Sequence, residues 1–466
     1  MLILFAFILF CASAASVTSK RNAILAILAI GFLQDPFRKL IDGEPILLIV
    51  TVGLVFALVF LNTIRQNGSQ AITQPFLAWS DEVRPALLFF IAILLLQYVH
   101  SSLRYSNVIV STIGLLSYTA PFFAIVVGYF LVDRAAEIAN VMICYIGIGV
   151  LLAVTIALSF AGVDVAVFKE VGVGIKIYDQ GTVLRSYSGF MRTGEIAAWH
   201  VATSSCFLII MYFSAKKKPM LLLVLGLLVF MMAAIAFTGR RKMLMLVTLF
   251  GFVYGLAFSY YRRRLSINYL FAAGIVVFVL WGAAQYLSST DDGVKNYIAR
   301  GASVYGSVSS RAFELGFMPI GWAYERVGLL GGGLGIASQG SHLFNVSNIA
   351  GGSGEGGLGK IMVELGLPGL LSVVWLILSI TRYINSSLNL CAQGFVPRHM
   401  LSIMLGIACF LLVNVITFAV ATQVYGDMFI LIVLGLLAGF LFALPKLVIR
   451  SLHDYSQNEN YKFSNY

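Results

Sequence analysis

Long apolar runs separated by short polar stretches set the pattern of this 466-residue chain. A helix needs about 20 apolar residues to cross the hydrocarbon layer of a membrane, and only helices or closed barrels satisfy the backbone there. The runs lack the alternation of apolar and polar residues that barrel strands show. The pattern predicts thirteen candidate helices, the first two of them short, at about residues 1–18, 22–34, 45–63, 85–101, 108–132, 136–161, 194–214, 219–238, 242–261, 266–287, 358–384, 399–421 and 424–446.

The composition narrows the class of protein. Its mean hydropathy is +0.93, and charged residues make up 11% of the chain, whereas a soluble globular protein carries about 25%. This shortfall excludes a soluble enzyme, a disordered protein and a nucleic-acid-binding domain. We therefore expect an all-α, polytopic membrane bundle of about 12–13 transmembrane helices.

The basic residues predict the orientation of the bundle. The formal net charge is +11, and basic loops stay on the cytoplasmic side of a membrane. Three clusters act as anchors: lysines 216–218, arginines 262–264, and Lys446 with Arg450. Placing them in the cytoplasm predicts a membrane domain over residues 1–446 and a cytoplasmic tail over 447–466.

The same topology predicts two external loops, at residues 162–193 and 288–357. The second loop separates the tenth and eleventh helices and is rich in glycine and serine. Loops of this length are usually functional or disordered. Tyr297 with Arg300, and Arg311 with Glu314, stand at helical spacing, so we expect this loop to be ordered.

Several cations then fall on the external side, against the general rule. The densest group is the turn Thr238-Gly239-Arg240-Arg241-Lys242 between two apolar helices. Each such cation costs about 2.5–3.5 kcal/mol if it reaches mid-membrane depth, so cations there suggest function. The alternative is that their stems reach along the interface to water. Because arginine binds phosphate through two parallel hydrogen bonds, a pyrophosphate at the membrane surface is the ligand that fits best.

Four segments, in order along the chain, resemble motifs of one family. Three of them carry arginine: Arg185-Ser186-Tyr187-Ser188-Gly189-Phe190, Thr238-Gly239-Arg240-Arg241, and Ser309-Ser310-Arg311. The fourth combines the glycine turn at 331–335 with Glu355-Gly356-Gly357-Leu358 and Glu364-Leu365-Gly366. Together they resemble the bacterial O-antigen ligase/polymerase superfamily. The stretch at 33–40, with Asp35-Pro36, resembles exopolysaccharide-polymerase-like members and favours a polymerase over a ligase.

The resemblance implies a metal-independent glycosyltransferase that needs no cofactor. Its donor would be a glycan on undecaprenyl pyrophosphate, and its acceptor a hydroxyl of another glycan. The implied location is the bacterial cytoplasmic (inner) membrane, with the active site facing the periplasm. Membrane lipid surrounds such an enzyme, and a chain-length regulator and a flippase are candidate partners. Arginines would stabilise the leaving pyrophosphate; the candidates are Arg185, Arg192, Arg240, Arg241 and Arg311.

The catalytic base is where the sequence departs from the family pattern. A His-Asn pair is common in the family at the position of Glu355-Gly356, and the nearest external histidine here is His342. Glu355 and His342 are therefore the two candidates for taking the proton of the acceptor hydroxyl. Glu355 could instead cap the following helix, and His342 could be an ordinary loop residue.

Two other classes of membrane protein stay open at this point. A flippase or transporter of lipid-linked oligosaccharide would favour internal repeats and broken helices, and we find no convincing repeat between the two halves. An enzyme that transfers one sugar from a lipid carrier would favour an acidic pair in the first external loop. Asp35 and Asp42 are the candidates for that pair.

Overall fold

The computed structural model describes residues 1–68, 70–77, 81, 83–105, 107–171, 176–179, 182–215, 220–262, 294, 296–297, 299–301, 303, 310, 312–338, 356–392 and 398–452. The chain is an all-α bundle, as the sequence predicts. In chain order the helices are α1 (Leu2–Ser16), α2 (Lys20–Leu40), α3 (Thr51–Asn67), α4 (Gln70–Leu77), α5 (Val83–Tyr105), α6 (Val108–Leu131), α7 (Ala135–Phe160), α8 (Gly194–Ser214), α9 (Leu221–Phe237), α10 (Arg241–Arg262), α11 (Met318–Val327), α12 (Gly357–Ala392), α13 (Arg398–Val420), α14 (Met428–Phe442) and α15 (Leu444–Leu452). Between α7 and α8, strands β1 (Lys176–Asp179) and β2 (Thr182–Arg185) form an antiparallel hairpin.

Eight helices among the described residues are long and apolar enough to cross a membrane. The number is nine if α14 and α15, which meet at a bend of 43°, form one span. The apolar helices α1 and α9 are shorter. Twelve of the thirteen predicted segments fall on helices, and the remaining one, 266–287, lies outside the described residues. The bent helix α15 extends across the predicted tail boundary at residue 447.

The second helix is longer than the sequence predicts. Ser19 begins it by accepting a hydrogen bond from the backbone N–H of Asn22, and it ends at Leu40 rather than at 34. The apolar pattern stops at 34 because polar residues follow, but Asp35 and Lys39 are buried by partners from other elements. Tertiary contacts therefore keep this polar end helical, and the predicted end was wrong.

The twelfth helix is broken at Gly366, where φ is +69°. A Cβ atom at this position would lie 2.4 Å from the carbonyl oxygen of Leu329, so both the conformation and the space require glycine. The glycine turn at 331–335 packs beside the break, and the Gly332 N–H donates to the Val363 carbonyl at 2.7 Å. The segment of α12 before the break thus packs with the glycine turn at 331–335.

Close packing of small residues joins α6 to α14. A Cβ atom on Gly435 would lie 2.5 Å from the Pro121 carbonyl, and one on Gly439 would lie 2.4 Å from the Ile125 carbonyl. Small residues at such positions let two backbones approach closely, which strengthens dispersion contacts where lipid removes the hydrophobic driving force. At the centre of the bundle, α8 buries Trp199 and His200, whose side chains bond to Asn414 and Tyr145.

Ion pairs define the two ends of the bundle. Lys20, Lys446 and Arg450 all contact Asp133, which follows α6. At the other end of α2, Asp35 contacts Arg192, and 15 residues of helix separate Lys20 from Asp35 by about 22 Å. We call these the Asp133 end and the Arg192 end. Lys20, Lys446 and Arg450, which the sequence assigns to one side, thus lie together at one end of the bundle; their cytoplasmic placement stays a prediction.

Candidate functional site

The turn between α9 and α10 presents the predicted arginines. Gly239 has φ +70°, and the Ile177 side chain of the hairpin would lie 2.5 Å from a Cβ atom there. Glycine is therefore required both for the left-handed turn and for the contact with the hairpin. The Thr238 hydroxyl accepts a hydrogen bond from the Arg240 N–H at 3.2 Å, which fixes where the arginine leaves the turn.

Each cation of this turn contacts a different neighbouring element. Nη1 of Arg240 lies 3.0 Å from Oε1 of Glu195 in the first turn of α8, and both side chains are about one quarter exposed. Arg241 donates to the Ser303 hydroxyl at 2.9 Å, and Lys242 donates to the Val420 carbonyl at 3.0 Å. Arg300 donates to the Gly239 carbonyl at 3.0 Å. Four cations therefore lie at or against this turn, with Arg240 paired to Glu195 and Lys242 bonded to the end of α13.

The hairpin brings Arg185 to the same place. Its guanidinium lies 2.8 Å from the Glu170 carboxylate and 5.5 Å from the centre of the Tyr187 ring. The Arg185 side chain is 57% exposed. The next residue, Ser186, donates to the Thr238 carbonyl at 2.9 Å, so the chain at the end of the hairpin is joined directly to the Arg240 turn.

Arg192 is placed differently from the other predicted arginines. One guanidinium nitrogen lies 3.0 Å from Asp35, the other contacts Asp427, and the side chain is 12% exposed. The Arg192 N–H also donates to Asp35 at 3.0 Å, and Asp427 accepts a hydrogen bond from the Ile430 N–H at the start of α14. Burial alone would lower the pKa of Arg192, but the charges of the two aspartates raise it above its ordinary value.

Lys39 reinforces this buried junction. Its ammonium donates to the carbonyls of Val167 and Gly189 at 3.0 and 2.8 Å and to the Ser188 hydroxyl at 3.3 Å. Through Asp35 and Lys39, the end of α2 is therefore joined to the chain on both sides of the hairpin. Asp42, by contrast, is exposed in the turn after α2.

A cavity of about 510 Å³ runs between α6, α10, α12, α13 and α14. Tyr118, Lys360, Phe418 and Tyr425 line it toward the Arg192 end, and Tyr261 and Asn385 line it toward the other end. Between them the wall is formed mainly by Leu, Ile, Val and Ala side chains. Lys360 is the one Lys, Arg, His, Asp or Glu among the described residues of the wall. The volume lies within the range of about 300–1,000 Å³ that is typical of ligand sites.

A buried carboxylate supports the cavity near Lys360. Glu364 is fully buried, one helical turn after Lys360, and accepts hydrogen bonds from the Tyr118 hydroxyl at 2.7 Å and the Ala337 N–H at 3.1 Å. The Lys360 ammonium lies 5.8 Å from the centre of the Tyr118 ring. Glu364 thus ties the broken helix to α6 and to the turn after the glycine-rich stretch.

The cavity and the arginine turn approach each other at the end of α13. A Cβ atom on Gly357 would lie 2.3 Å from the carbonyl of Phe418, a residue of the cavity wall. Lys242 donates to Val420, two residues further on. The last turn of α13 therefore lies between Lys242 on one side and the start of α12, with Lys360, on the other.

Three predicted site residues, Arg311, His342 and Glu355, lie outside the described residues. Gly356, which follows Glu355, packs against Leu315 and Ala419, since a Cβ atom there would meet both carbonyls. Within the described ranges, no group of three His, Cys, Asp or Glu residues could hold a metal ion.

No family model matches the chain, and no curated protein is significantly similar to it. The resemblance carried by the motifs thus stays a prediction. The sequence analysis singled out the arginines as candidates, but it missed the acidic partners Glu170, Glu195 and Asp427 that three of them have in the structure. A usable signal was present, because the predicted topology places all three on the same side as the arginines.

Proposed function

We propose that this protein is a membrane glycosyltransferase that polymerises, or ligates, glycan repeat units carried on a lipid pyrophosphate. The observation that supports this proposal best is the apolar cavity with Lys360 at the end nearest the arginine turn. A lipid pyrophosphate matches this arrangement, because its long apolar chain suits the apolar wall and its doubly charged pyrophosphate suits the cationic end. The donor class proposed here is undecaprenyl-pyrophosphate-linked oligosaccharide.

The cations supply what the leaving group requires. Arg240 lies in the turn before α10, and Arg241 and Lys242 begin that helix. Ser186, next to Arg185, bonds to the same turn, and Lys360 lies on the other side of the end of α13. Preorganised cations in a site with little water stabilise the charge that develops on a leaving pyrophosphate. Arg192 is enclosed by two aspartates, so we assign it the holding of this end of the bundle rather than contact with phosphate.

The proposed reaction is a single displacement that balances without a metal or cofactor. The acceptor hydroxyl oxygen forms a bond to the anomeric carbon of the donor glycan. The bond from that carbon to the pyrophosphate oxygen breaks, and its electron pair leaves with the lipid pyrophosphate. Glu355 or His342 takes the acceptor proton. Both candidates precede Gly356 in the chain, and Gly356 packs against the end of α13.

The distribution of basic residues also supports a proposal for the membrane and the orientation of the bundle. We infer a bacterial cytoplasmic membrane with the Arg192 end facing the periplasm, because Lys20, Lys446 and Arg450 gather at the opposite end. A flippase for the same lipid is the second candidate. The observation that favours it is the reach of the cavity, which extends from Tyr425 to Tyr261.

Purified protein, supplied with a lipid-pyrophosphate-linked repeat unit and neither ATP nor metal, should produce a ladder of longer glycans on gel electrophoresis. Arg240→Ala should lower the initial rate by about 10²–10³-fold, because it removes one preorganised cation from the leaving group. Lys169→Gln is the matched control, since Lys169 is a 72% exposed cation at the same end. Glu355→Gln should abolish the ladder if Glu355 is the base, and His342→Gln should do so if His342 is.

Filling the cavity tests the role of the lipid. Ala408 lines the wall, and Ala408→Phe should raise the KM for a donor with a long polyprenyl chain about tenfold. A donor with a short, soluble prenyl chain should be used equally by both proteins. Equal use of the long-chain donor would remove the cavity from the proposal. Translocation of the lipid without any glycan growth would favour the flippase.

A further inference from the structure

A second, polar cavity of about 150 Å³ lies at the Asp133 end of the bundle, between the start of α2 and the ends of α3 and α6. Most of its wall carries hydroxyl or amide groups, from Ser16, Thr18, Ser19, Asn62, Thr63, Gln66 and Asn67. Lys20 supplies the one charged side chain among the described residues of this wall. Its apolar part is formed by Ala23, Val59, Phe130 and Leu131. The cavity is therefore a small polar space with a cation on one side.

The charge around this cavity is strongly positive. The Lys20 ammonium lies 2.5 Å from the Asp133 carboxylate, but Lys446 and Arg450 contact the same carboxylate. At this carboxylate one negative charge therefore faces three positive charges, while the neighbouring Glu137 carboxylate accepts the backbone N–H groups of Asp133 and Arg134. The Lys20 side chain is 47% exposed, and Arg65 reaches the wall by donating to the Asn62 side chain at 3.1 Å. An anion that enters the cavity meets an excess of cations.

An apolar stripe leads along the membrane to this cavity. Leu54, Leu58 and Leu61 of α3 are exposed by 57%, 41% and 61%, and they precede Asn62 and Gln66 of the cavity wall on the same helix. Their spacing places them along one side of α3. An acyl chain lying against these leucines would bring its headgroup to the level of Asn62.

We propose that this cavity binds the phosphodiester headgroup of an anionic phospholipid, such as phosphatidylglycerol. The cation excess attracts the phosphate, and the hydroxyl and amide groups suit both its oxygens and a glycerol headgroup. A zwitterionic lipid also needs an acceptor for its own cation, and the described residues of the wall include no acid. The leucine stripe distinguishes a lipid from free phosphate. This inference does not depend on the proposed glycosyltransferase activity.

The experiment is a lipid titration of the delipidated, full-length protein, read by native mass spectrometry. Phosphatidylglycerol should form a one-to-one complex at lower concentration than phosphatidylcholine with the same acyl chains. Lys20→Gln should weaken the binding of phosphatidylglycerol about fivefold, the effect of one cation near a membrane surface. Gln66→Glu should weaken it at least as much, because this nearly isosteric change places a negative charge in the cavity wall, where it repels the phosphate. Gln66 is exposed, so the substitution should not disturb packing.

Two controls make the result decisive. Lys169→Gln removes one exposed cation from the opposite end and should leave lipid binding unchanged. Arg21→Gln removes the cation next to Lys20 outside the cavity wall, and should have a smaller effect than Lys20→Gln. Equal binding of the two phospholipids, or equal losses in all four variants, would overturn the site. Displacement of phosphatidylglycerol by millimolar inorganic phosphate would overturn the assignment to a lipid.

Discussion

The two ends of the bundle hold inverse charge clusters. At the Arg192 end, one guanidinium lies between the carboxylates of Asp35 and Asp427, and the three side chains are 12%, 0% and 3% exposed. At the Asp133 end, one carboxylate lies among Lys20, Lys446 and Arg450, and the side chain of Asp133 is 27% exposed. The first cluster is closed to solvent, whereas the second is open to it.

The difference in burial indicates different roles. Removing one partner from a buried cluster leaves an uncompensated charge in a medium that solvates it poorly. An exposed cluster loses little, because water and salt screen the remaining charges. We therefore interpret the Arg192 cluster as a junction that holds α2, the loop before α8 and α14 in register. The Asp133 cluster keeps its cations accessible to a ligand.

The largest effect should follow from Arg192→Leu, which leaves two buried carboxylates without their partner. We expect a loss of about 3–5 kcal/mol in the free energy of unfolding. Unfolding of the purified protein in a denaturing detergent, followed by circular dichroism, measures this loss. Lys20→Gln at the opposite end serves as the comparison and should cost less than about 1 kcal/mol.

A triple variant separates a lost interaction from simple misfolding. In Arg192→Leu/Asp35→Asn/Asp427→Asn all three charges of the Arg192 cluster are removed together, so much of the lost stability should return. A triple variant as unstable as Arg192→Leu would contradict the account of unpaired charge. Losses of equal size from Arg192→Leu and Lys20→Gln would contradict the contrast between the two ends.

A smaller effect is expected from Asp133→Asn. This change removes the shared partner of three cations but leaves them near solvent, so the cost at neutral pH should be about 0–1 kcal/mol. The same unfolding measurement detects it. A cost as large as that of Arg192→Leu would mean that the Asp133 cluster is as closed as its counterpart.

The smallest expected effect is a pH dependence of the difference in unfolding free energy between the wild type and Asp133→Asn. Burial alone would raise the pKa of Asp133, but hydrogen bonds from Lys20 and Lys446 outweigh it and bring the pKa well below its ordinary value. A lowered pKa contributes stability that is present above the unfolded-state value of about 4 and is lost as the pH falls toward the folded-state value. The stability of the wild type should therefore approach that of Asp133→Asn between about pH 5 and pH 2. A difference that grows on acidification would contradict this sign.

Particular residues show which features of the structure could be predicted from the sequence. The apolar runs predicted twelve helices within the described residues, and the motif around Arg240 predicted a cationic turn at the end of two of them. The same patterns predicted that α2 ends at residue 34 and made Arg192 and Arg240 equal candidates for binding pyrophosphate. It could not distinguish the two arginines, because every acidic partner is distant in the sequence. Arg192 contacts Asp35 and Asp427, which are 157 and 235 residues away, and Arg240 contacts Glu195, which is 45 residues away.

The sequence by itself determined the bundle, since hydropathy over about 20 residues is a local property that a membrane selects directly. It also assigned Lys20, Lys446 and Arg450 to one side of that bundle. Only the tertiary structure decided which charges are buried together, where α12 breaks, and which helices enclose the two cavities. These features depend on which helices become neighbours, and contacts between distant segments leave no periodic trace in a single chain.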